Sequence, residues 1–351
     1  MAVLAERFEQ NPLITARDLR PSREGLVIEG VLNPGVFTFD GKAWLLLRVA
    51  ERPEQRAGIV SFPRIKKSGD LEVMEFRRND PAIDLSDARY VKYNGRTYLS
   101  TISHLRLVCS DDGIHFYEPG DRSPFLFGEG ELEAFGIEDC RVTFLEGAYY
   151  LTYTQVSQSG VGVGLMCTED WQTFSRKGMI LPPHNKDCAL FGEKINGKYY
   201  CLHRPSGLDL GGHFIWIAAS TDLIHWGGYR CIMYSREHCW DGARIGAGAS
   251  PIRTEAGWLQ IYHGADRDNR YCLGAVLLDL EDPTRVLART LEPILTPEAE
   301  YERNGFFGNV VFSNGHLIRG DELTIYYGAS DTVICGVRFS IAEILTELKG
   351  C

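Results

Sequence analysis

An apolar strand, a short turn ending in Gly and a second strand rich in aromatic residues recur along this chain. The six copies are Gly35–Arg48, Ala88–Leu99, Cys140–Tyr153, Cys188–Leu202, Ser250–Tyr262 and Val310–Tyr327. Turns such as Asn94-Gly95 and Asn196-Gly197 between alternating strands are the strongest local signal for β-hairpins. Helical periodicity is confined to Asn11–Leu19 and to Ser340–Leu348, which follows a Ser cap. The pattern therefore predicts an all-β protein with a short C-terminal helix.

The spacing of the hairpin units is the second feature of the pattern. The units open about 50–60 residues apart, a spacing typical of the four-stranded blades of a β-propeller. Because the first strand of each blade lines the central axis, polar residues that open the units should converge there. We therefore predict a ring of polar groups around a pocket, formed by Asn33, Asp87, Asp139, Asp187 and Asn309.

Two carboxylates and a guanidinium lie close together in the stretch Phe135–Arg141. Neighbouring residues on a strand face opposite ways, so Glu138 and Asp139 can share a site only if a kink re-aims one of them. Asp139 and Arg141, two residues apart, can share a face. Spacing alone leaves two interpretations open, an acid beside a cation in a pocket and an ion pair at a strand start.

Basic residues also occur inside apolar strands, where an unpaired charge is costly. They include Arg48, Arg89, Arg141, Lys186, His203, Arg204 and His263. Either they pair with the carboxylates of the ring or they bind an anionic ligand, and their convergence favours a compact anion such as phosphate. Aromatic residues near the same strand ends have two possible roles, core packing and the lining of a sugar-sized cleft: Tyr90, Tyr153, Trp216, Trp240, Tyr262, Phe306, Phe307 and Tyr327.

Composition narrows the possible partners. The chain has 351 residues and a formal net charge of −10, which argues against nucleic acid as the main partner. No apolar run approaches the length of a membrane span, and the start does not resemble a signal peptide, so we expect a cytoplasmic protein without a membrane partner. The ten cysteines form no C-x-x-C pair and lie mostly in apolar runs, which predicts buried free thiols rather than a metal site. For Cys140 a structural role is favoured over that of a nucleophile.

Several motifs resemble glycoside hydrolase family 130, in order and over nearly the whole chain. They are Asn11–Thr15, Asn33–Gly35, Leu47–Glu51, Phe135–Arg141, Asn185–Asp187, His203–Pro205, Tyr262–Gly264 and Tyr327–Asp331. The resemblance implies one catalytic domain over residues 1–351, a five-bladed β-propeller on which segment 1–30 and a helix at about 340–349 pack. Two departures are that Cys140 stands where the family usually has Pro, and that six hairpin units are counted against five blades.

The resemblance implies an inverting β-mannoside phosphorylase in which Asp139 is the catalytic acid. Inorganic phosphate is the co-substrate, no metal or other cofactor is needed, and Arg48, Lys186, Arg204 and His263 are expected to hold the phosphate. The residues expected to bind the sugars are Asn33, Arg89, Arg141, Asp187, Tyr262 and Asp331. Family members often form dimers or larger assemblies, so a homo-oligomer is possible.

The stretches Leu99–Leu107 and Glu131–Phe135 most resemble members that act on β-1,2-mannobiose or short β-1,2-mannan. A mannosyl-glucose phosphorylase, a β-mannosidase and a non-catalytic propeller that binds a partner are the alternatives. A mannosidase would need a second carboxylate to activate water. The candidates for that base are Glu133, Glu138 and Asp241, each of which is also explained as an ordinary surface residue.

Overall fold

The computed structural model describes residues 4–66, 68–87, 89–120, 124–207 and 211–350. Over these ranges the protein is all-β, and its α-helices are two short ones, α1 (Glu300–Arg303) and α2 (Ile341–Glu347). The strands are β1 (Glu6–Arg7), β2 (Leu26–Phe39), β3 (Lys42–Pro53), β4 (Ile59–Ile65), β5 (Leu71–Arg77), β6 (Ile83–Asp84), β7 (Tyr90–Tyr93), β8 (Arg96–Leu99), β9 (Ile102–Ser110), β10 (Ile137–Leu145), β11 (Ala148–Ser157), β12 (Gly160–Thr168), β13 (Ser175–Leu181), β14 (Asn185–Leu190), β15 (Tyr199–Pro205), β16 (Ile215–Ser220), β17 (Trp226–Met233), β18 (Arg244–Ala247), β19 (Ile252–Arg253), β20 (Trp258–Ala265), β21 (Tyr271–Leu278), β22 (Val286–Thr290), β23 (Val311–Arg319), β24 (Glu322–Ala329), β25 (Val333–Ser340) and β26 (Leu348–Gly350).

Five antiparallel sheets form the body of the protein. Sheet 1 has the strand order β2-β3-β9, sheet 2 β10-β11-β12-β13, sheet 3 β14-β15-β16-β17 and sheet 5 β23-β24-β25-β1. Sheet 4 has the order β18-β20-β21-β22-β26, and β19 also pairs with β20. Strand β2 contacts β10 and β23, β14 contacts β10 and β18, and β21 contacts β23. Each sheet therefore contacts the next in sequence, and sheet 5 contacts sheet 1.

Residues between β3 and β9 form two smaller sheets, β4-β5 and β6-β7-β8, which we call the insertion (59–99). The second predicted hairpin unit lies here, apart from the five larger sheets, and its first residue, Ala88, lies outside the described residues. Phe62 and Tyr98 of the insertion are buried against each other and share a small core with Phe135. The insertion thus packs on the residue that leads into β10.

The predicted hairpin turns are confirmed. Asp40-Gly41, Asn94-Gly95, Glu146-Gly147 and Asn196-Gly197 all have positive φ at both positions, which two-residue hairpins of the favoured twist require. The C-terminal helix is also confirmed, since the Ser340 side chain accepts a hydrogen bond from the Glu343 N–H.

The second predicted helix is wrong. Within Asn11–Leu19 the structure forms only a 3₁₀ turn at Ala16–Asp18, because the stretch pairs with β25 instead. No helix in the described ranges is long and apolar enough to cross a membrane. The nine cysteines in those ranges are free thiols and most are buried, but Cys239 is exposed; Cys351 lies outside the described residues.

Candidate active site

A cavity of about 840 Å³ opens where sheets 1, 2, 3 and 5 meet the insertion. Arg48 of sheet 1, Glu138 of sheet 2, Lys186 of sheet 3 and Asp331 of sheet 5 line it, and Tyr90 of the insertion forms part of its wall. The volume lies near the upper end of the usual range for small-molecule sites, about 300–1,000 Å³. The cavity therefore combines an oligosaccharide-sized space with charges of both signs.

A β-bulge re-aims the acidic pair, as the sequence required. The register of β10 against β11 shifts between Glu138 and Arg141, and Asp139 within the shift has φ of +50°. Asn33 in β2 and Asp187 in β14 lie in equivalent shifts, with φ of +39° and +55°. Asn and Asp are the non-glycine residues that tolerate this left-handed conformation best. The kink lets both Glu138 and Asp139 reach one arginine.

Arg48 is that arginine. Its Nη1 donates to Asp139 Oδ1 at 3.1 Å, its Nη2 to Glu138 Oε1 at 2.8 Å and its Nε to Ser103 Oγ at 3.0 Å. Asn33 Nδ2 donates to the same Asp139 oxygen at 3.0 Å. Burial opposes the charge of Asp139, but the cation Arg48 and the hydrogen bond from Asn33 outweigh it, so the pKa of Asp139 lies below its usual value. With no ligand, the acid is therefore ionised at neutral pH.

Arg141 holds the backbone of the bulge rather than the carboxylate. Its Nη1 donates to the Asp139 carbonyl oxygen at 2.9 Å, and Nε and Nη2 donate to the carbonyls of Gly248 and Ala247, each at 2.9 Å. Its remaining contact is with Asp187 Oδ1 at 3.2 Å. The side chain is fully buried and does not line the cavity. Arg141 thus fixes the position of Asp139 from behind.

Asp187 joins three basic groups behind the cavity. Besides Arg141, its Oδ2 lies 3.1 Å from Arg204 Nε and 3.2 Å from His263 Nε2. Burial disfavours its charge, but Arg204 and the other basic groups hold the pKa of Asp187 well below its usual range. Gly246 makes room for this cluster, because a Cβ there would lie 2.3 Å from Asp187 Oδ2. Asp187, with a side chain only 1% exposed, therefore has its charge neutralised inside the protein.

Of the basic groups expected to hold an anion, His263 is completely buried and Arg204 nearly so. Burial lowers the pKa of His263 to about 4 against the opposing effect of Asp187, so the imidazole is neutral at pH 7. The Arg204 guanidinium lies 3.3 Å from His263 Nε2. These two residues form the layer behind the cavity wall, whereas Arg48 and Lys186 form the wall itself.

Lys186 differs from the other cations of the site. It lines the cavity, yet among the described residues its ammonium group has no ion-pair or hydrogen-bond partner. Burial and the nearby Arg204 lower its pKa from the usual value. A cation in this situation gains a partner when an anion enters the cavity.

Asp331 and Arg89 are two further charged residues that line the cavity. Burial raises the pKa of Asp331 to about 6, and the neighbouring carboxylates Asp139 and Glu138 add to the increase while Arg48 opposes it. Within the part of the chain that the structure describes, its carboxylate makes no ion pair or hydrogen bond. Arg89 is exposed, pairs with Asp87 at 2.7 Å and lies with its guanidinium carbon 5.2 Å from the centre of the Tyr90 ring. Asp331 is thus a carboxylate that lines the cavity and is unpaired as far as the described ranges extend.

The ring predicted from the unit starts is only partly formed. Asn33, Asp139 and Asp187 converge as described, but Asp87 belongs to the exposed part of the insertion, and Asn309 is exposed beside sheet 5. The hairpin that Asp87 opens belongs to the insertion and not to one of the five larger sheets. Counting hairpin units therefore predicted more residues in the polar ring than the structure brings together.

Tyr262 does not reach the cavity, contrary to the sequence expectation. Its hydroxyl donates to Asp241 Oδ2 at 2.8 Å and accepts from Arg289 Nε at 3.0 Å, and its ring is fully buried. Tyr262 and His263 are neighbours on β20, so their side chains point to opposite faces. Because His263 faces the site, Tyr262 must face the core between the sheets.

Two of the three candidate bases for hydrolysis are structural. Glu133 accepts hydrogen bonds from Tyr153, Gln155 and Arg176, and it is buried rather than at the surface. Asp241 is likewise buried, and its carboxylate is already paired with Arg236, Arg289 and Tyr262. Only Glu138 of the three lines the cavity.

Cys140 follows the acid but takes no part in the cavity. Its side chain is fully buried in a core cluster of sheets 1 and 2, and burial raises the pKa of its thiol well above the usual value. A thiol kept protonated in the core is a poor nucleophile. The structural role predicted for it is therefore confirmed.

The cavity has further lining residues that the sequence pattern did not single out. Arg96 belongs to the insertion, and Gln158 and His184 follow or precede strands. Ser103, which orients Arg48, lies inside an apolar run of β9. Arg96, Gln158 and His184 carry no spacing signal, because loops and an inserted sheet bring them to the cavity.

Comparison with known proteins agrees with the motifs. A family model described as beta-1,4-mannooligosaccharide phosphorylase, of glycoside hydrolase family 130, matches residues 66–349. A beta-1,2-mannobiose phosphorylase from Listeria innocua is 46% identical over 349 residues, 98% of each chain. A 1,2-beta-oligomannan phosphorylase from Thermoanaerobacter sp. is 40% identical over 295 residues, 83% of this chain and 92% of the relative.

A solved structure gives the same result for the fold. The Listeria innocua beta-1,2-mannobiose phosphorylase in complex with beta-1,2-mannobiose superposes with a TM-score of 0.93 at 44% identity, covering 98% of each chain. The family predicted from the motifs is thereby confirmed. The chain belongs to glycoside hydrolase family 130.

Proposed function

We propose that this protein is an enzyme that phosphorolyses β-1,2-linked mannosides. It converts β-1,2-mannobiose, or a short β-1,2-mannooligosaccharide, and inorganic phosphate into α-mannose 1-phosphate and the shortened sugar. The observation that carries the proposal is that the Lys186 ammonium, which has no ion-pair or hydrogen-bond partner among the described residues, lies in the same cavity as the Arg48–Asp139 pair. The β-1,2 linkage is supported by similarity, over 98% and 83% of this chain, to two phosphorylases that bear this specificity in their names.

Phosphate is the nucleophile, so the site needs cations where a hydrolase would need a second carboxylate base. Arg48 and Lys186 line the cavity and are proposed to contact the phosphate directly. Arg204 and the neutral His263 lie behind them, where both contact the Asp187 carboxylate. Attack opposite to the leaving group inverts the anomeric carbon, and this gives the α-phosphate from a β-mannoside.

Asp139 is the proposed acid, and it donates a proton to the glycosidic oxygen directly or through a hydroxyl of the mannose. In the empty site Arg48 keeps it ionised. A phosphate dianion near Arg48 and Lys186 cancels part of their positive potential and so raises the pKa of Asp139. Phosphate binding and proton loading of the acid are therefore coupled.

The sugar-binding residues divide into two groups. Arg89 and Asp331 line the cavity, and Asn33 is bonded to the acid, so these three are proposed to contact or orient the mannosyl rings. Arg141, Asp187 and Tyr262 are buried and already paired. For Arg141 and Asp187 we propose a positioning role instead, since they hold the bulge of the acid and the layer behind the phosphate.

The five larger sheets are proposed to be the blades of a five-bladed β-propeller within one catalytic domain. Their cyclic order of contacts supports this architecture, with the insertion outside the blades. Segment 1–30 would pack on the propeller, and it already supplies β1 to sheet 5 and the start of β2 to sheet 1. The cytoplasmic location and a homo-oligomer stay predictions.

The test is incubation with β-1,2-mannobiose with and without inorganic phosphate, followed by assay of mannose and mannose 1-phosphate. We expect mannose 1-phosphate only when phosphate is present. Free mannose without phosphate would identify a hydrolase and contradict the proposal. Turnover of mannosyl-glucose but not of mannobiose would contradict the linkage, and no turnover of either would leave a binding propeller.

A further inference from the structure

Phe306 is a large apolar side chain at the mouth of the cavity. It lines the cavity although it is 47% exposed, and among the described residues its ring contacts no other aromatic ring. Its neighbour Phe307 behaves differently and packs edge-on against Tyr271, with 6.4 Å between the ring centres. Phe306 is therefore not explained by core packing, the usual role of an aromatic residue in a β protein.

The backbone around Phe306 is fixed to the turn that carries Asp331. The Phe306 N–H donates to Thr332 Oγ1 at 3.0 Å, and the Phe307 N–H donates to the Ser330 carbonyl at 3.1 Å. Gly305 permits this contact, because a Cβ there would lie 2.4 Å from the Ser330 carbonyl oxygen. The backbone that carries the exposed ring is thus fixed to the turn that carries Asp331.

An aromatic face beside a carboxylate suits a sugar ring. One face of a pyranose presents polarised C–H groups, which favour the electron-rich face of an aromatic ring, while its hydroxyls donate to carboxylates. A loop whose backbone is already fixed loses little conformational entropy when a sugar stacks on its side chain. The exposed face of Phe306 therefore offers a preformed platform.

From these contacts we infer that Phe306 is the stacking platform for the acceptor sugar, the unit that leaves during phosphorolysis and attacks in the reverse reaction. The inference rests on the proposed phosphorolysis. The mannosyl unit being transferred must lie over the buried Asp139 and Arg48, and phosphate must enter on the face opposite to the leaving group. The leaving sugar is then the unit nearest the cavity mouth, where Phe306 is exposed.

The test compares Phe306→Ala with Phe306→Trp and with a control, Phe144→Ala. Phe144 is 57% exposed on β10 and does not line the cavity. For Phe306→Ala we expect the KM for β-1,2-mannobiose, and the KM for acceptor mannose in synthesis, to rise about tenfold, the size of one aromatic contact. The KM values for phosphate and for α-mannose 1-phosphate should stay within about twofold. Phe306→Trp should restore the acceptor KM.

Two outcomes would overturn the inference while leaving phosphorolysis intact. One is a Phe306→Ala enzyme whose acceptor KM matches that of the Phe144→Ala control. The other is an equal rise in the KM for phosphate and for α-mannose 1-phosphate, which would mean a general disturbance of the site. A wild-type enzyme that releases no mannose 1-phosphate would instead overturn the proposed function, and the inference with it.

Discussion

Replacing Lys186 by Met tests the anion site most directly. Met keeps most of the length and apolar volume of the side chain but removes the ammonium group. Because that group has no ion-pair or hydrogen-bond partner within the described ranges, its loss breaks no contact within them. Removing a partly desolvated cation should leave the free energy of unfolding unchanged or raise it. The variant is therefore expected to fold, and its defect should be confined to ligand binding.

The size of the defect follows from the contact that is lost. A hydrogen bond between a charged donor and an anion contributes about 1.5–3 kcal/mol, which corresponds to roughly a 10- to 150-fold change in an equilibrium constant. We expect Lys186→Met to raise the KM for phosphate by that factor at saturating β-1,2-mannobiose. The KM for the sugar at saturating phosphate should change by less than about threefold, because the sugar does not need the cation.

The assay measures initial rates of mannose 1-phosphate release while each substrate is varied in turn. Lys177→Met is a matched control, since Lys177 is an exposed residue of β13 and, among the described residues, its ammonium donates only to Ser175 Oγ, at 3.0 Å. A second readout is pH. The pKa of Lys186 is lowered, so the wild-type KM for phosphate should rise as alkaline pH deprotonates the lysine, and the variant should lack that rise. An unchanged KM for phosphate, or a change confined to the sugar, would refute the anion-site assignment.

Three further substitutions test other parts of the site. Asp139→Asn should lower kcat by about 10²- to 10⁴-fold in steady-state assays, and near-normal turnover would contradict its role as the acid. Asp187→Asn removes the partner of Arg141 and Arg204 and should cost about 3–5 kcal/mol, measured by denaturant unfolding; a loss below about 1 kcal/mol would show that the pairs matter little. Asp331 has a pKa raised to about 6, so its stabilising contribution is full below pH 3.8 and is lost as pH rises through 6. Asp331→Asn should therefore gain up to about 3 kcal/mol of stability over the wild type at pH 8 but almost none at pH 3.5, in matched thermal melts, although it weakens sugar binding; an equal gain at both pH values would contradict the raised pKa.

Local chemistry made much of the fold predictable. Asn196-Gly197 and its relatives specify a turn by their own backbone preferences, so the hairpins followed from the sequence. The recurrence of Asn or Asp at the unit starts also had a local cause, since Asn33, Asp139 and Asp187 each occupy a left-handed bulge position. That conformation was not predicted as such, but the need for a kink between Glu138 and Asp139 was.

The failures share a different cause, because each depends on packing between distant segments. Nothing in the hairpin around Asn94-Gly95 distinguishes an insertion from a blade, as the difference lies in which sheet it meets. The sequence does not distinguish Tyr262 from His263 as the residue that faces the site. Only the register of β20 against β18 decides which of them faces the cluster around Asp187. Exposure of Phe306 likewise depends on the contact of its loop with Thr332.

The low pKa of Asp139 conflicts with a role as an acid only if Asp139 reacts before phosphate has bound. Two of the cations that depress it, foremost Arg48 and also Lys186, are the ones proposed to bind phosphate. A dianion added beside Arg48, Glu138 and Asp331 leaves an excess of negative charge, and the least costly relief is a proton on one of the carboxylates. Phosphate that competes for Arg48 weakens the ion pair that keeps Asp139 ionised, so the pKa of Asp139 rises when phosphate binds. An acid that is charged before phosphate binds and protonated afterwards would donate its proton only when the nucleophile is in place, and this would disfavour hydrolysis by water.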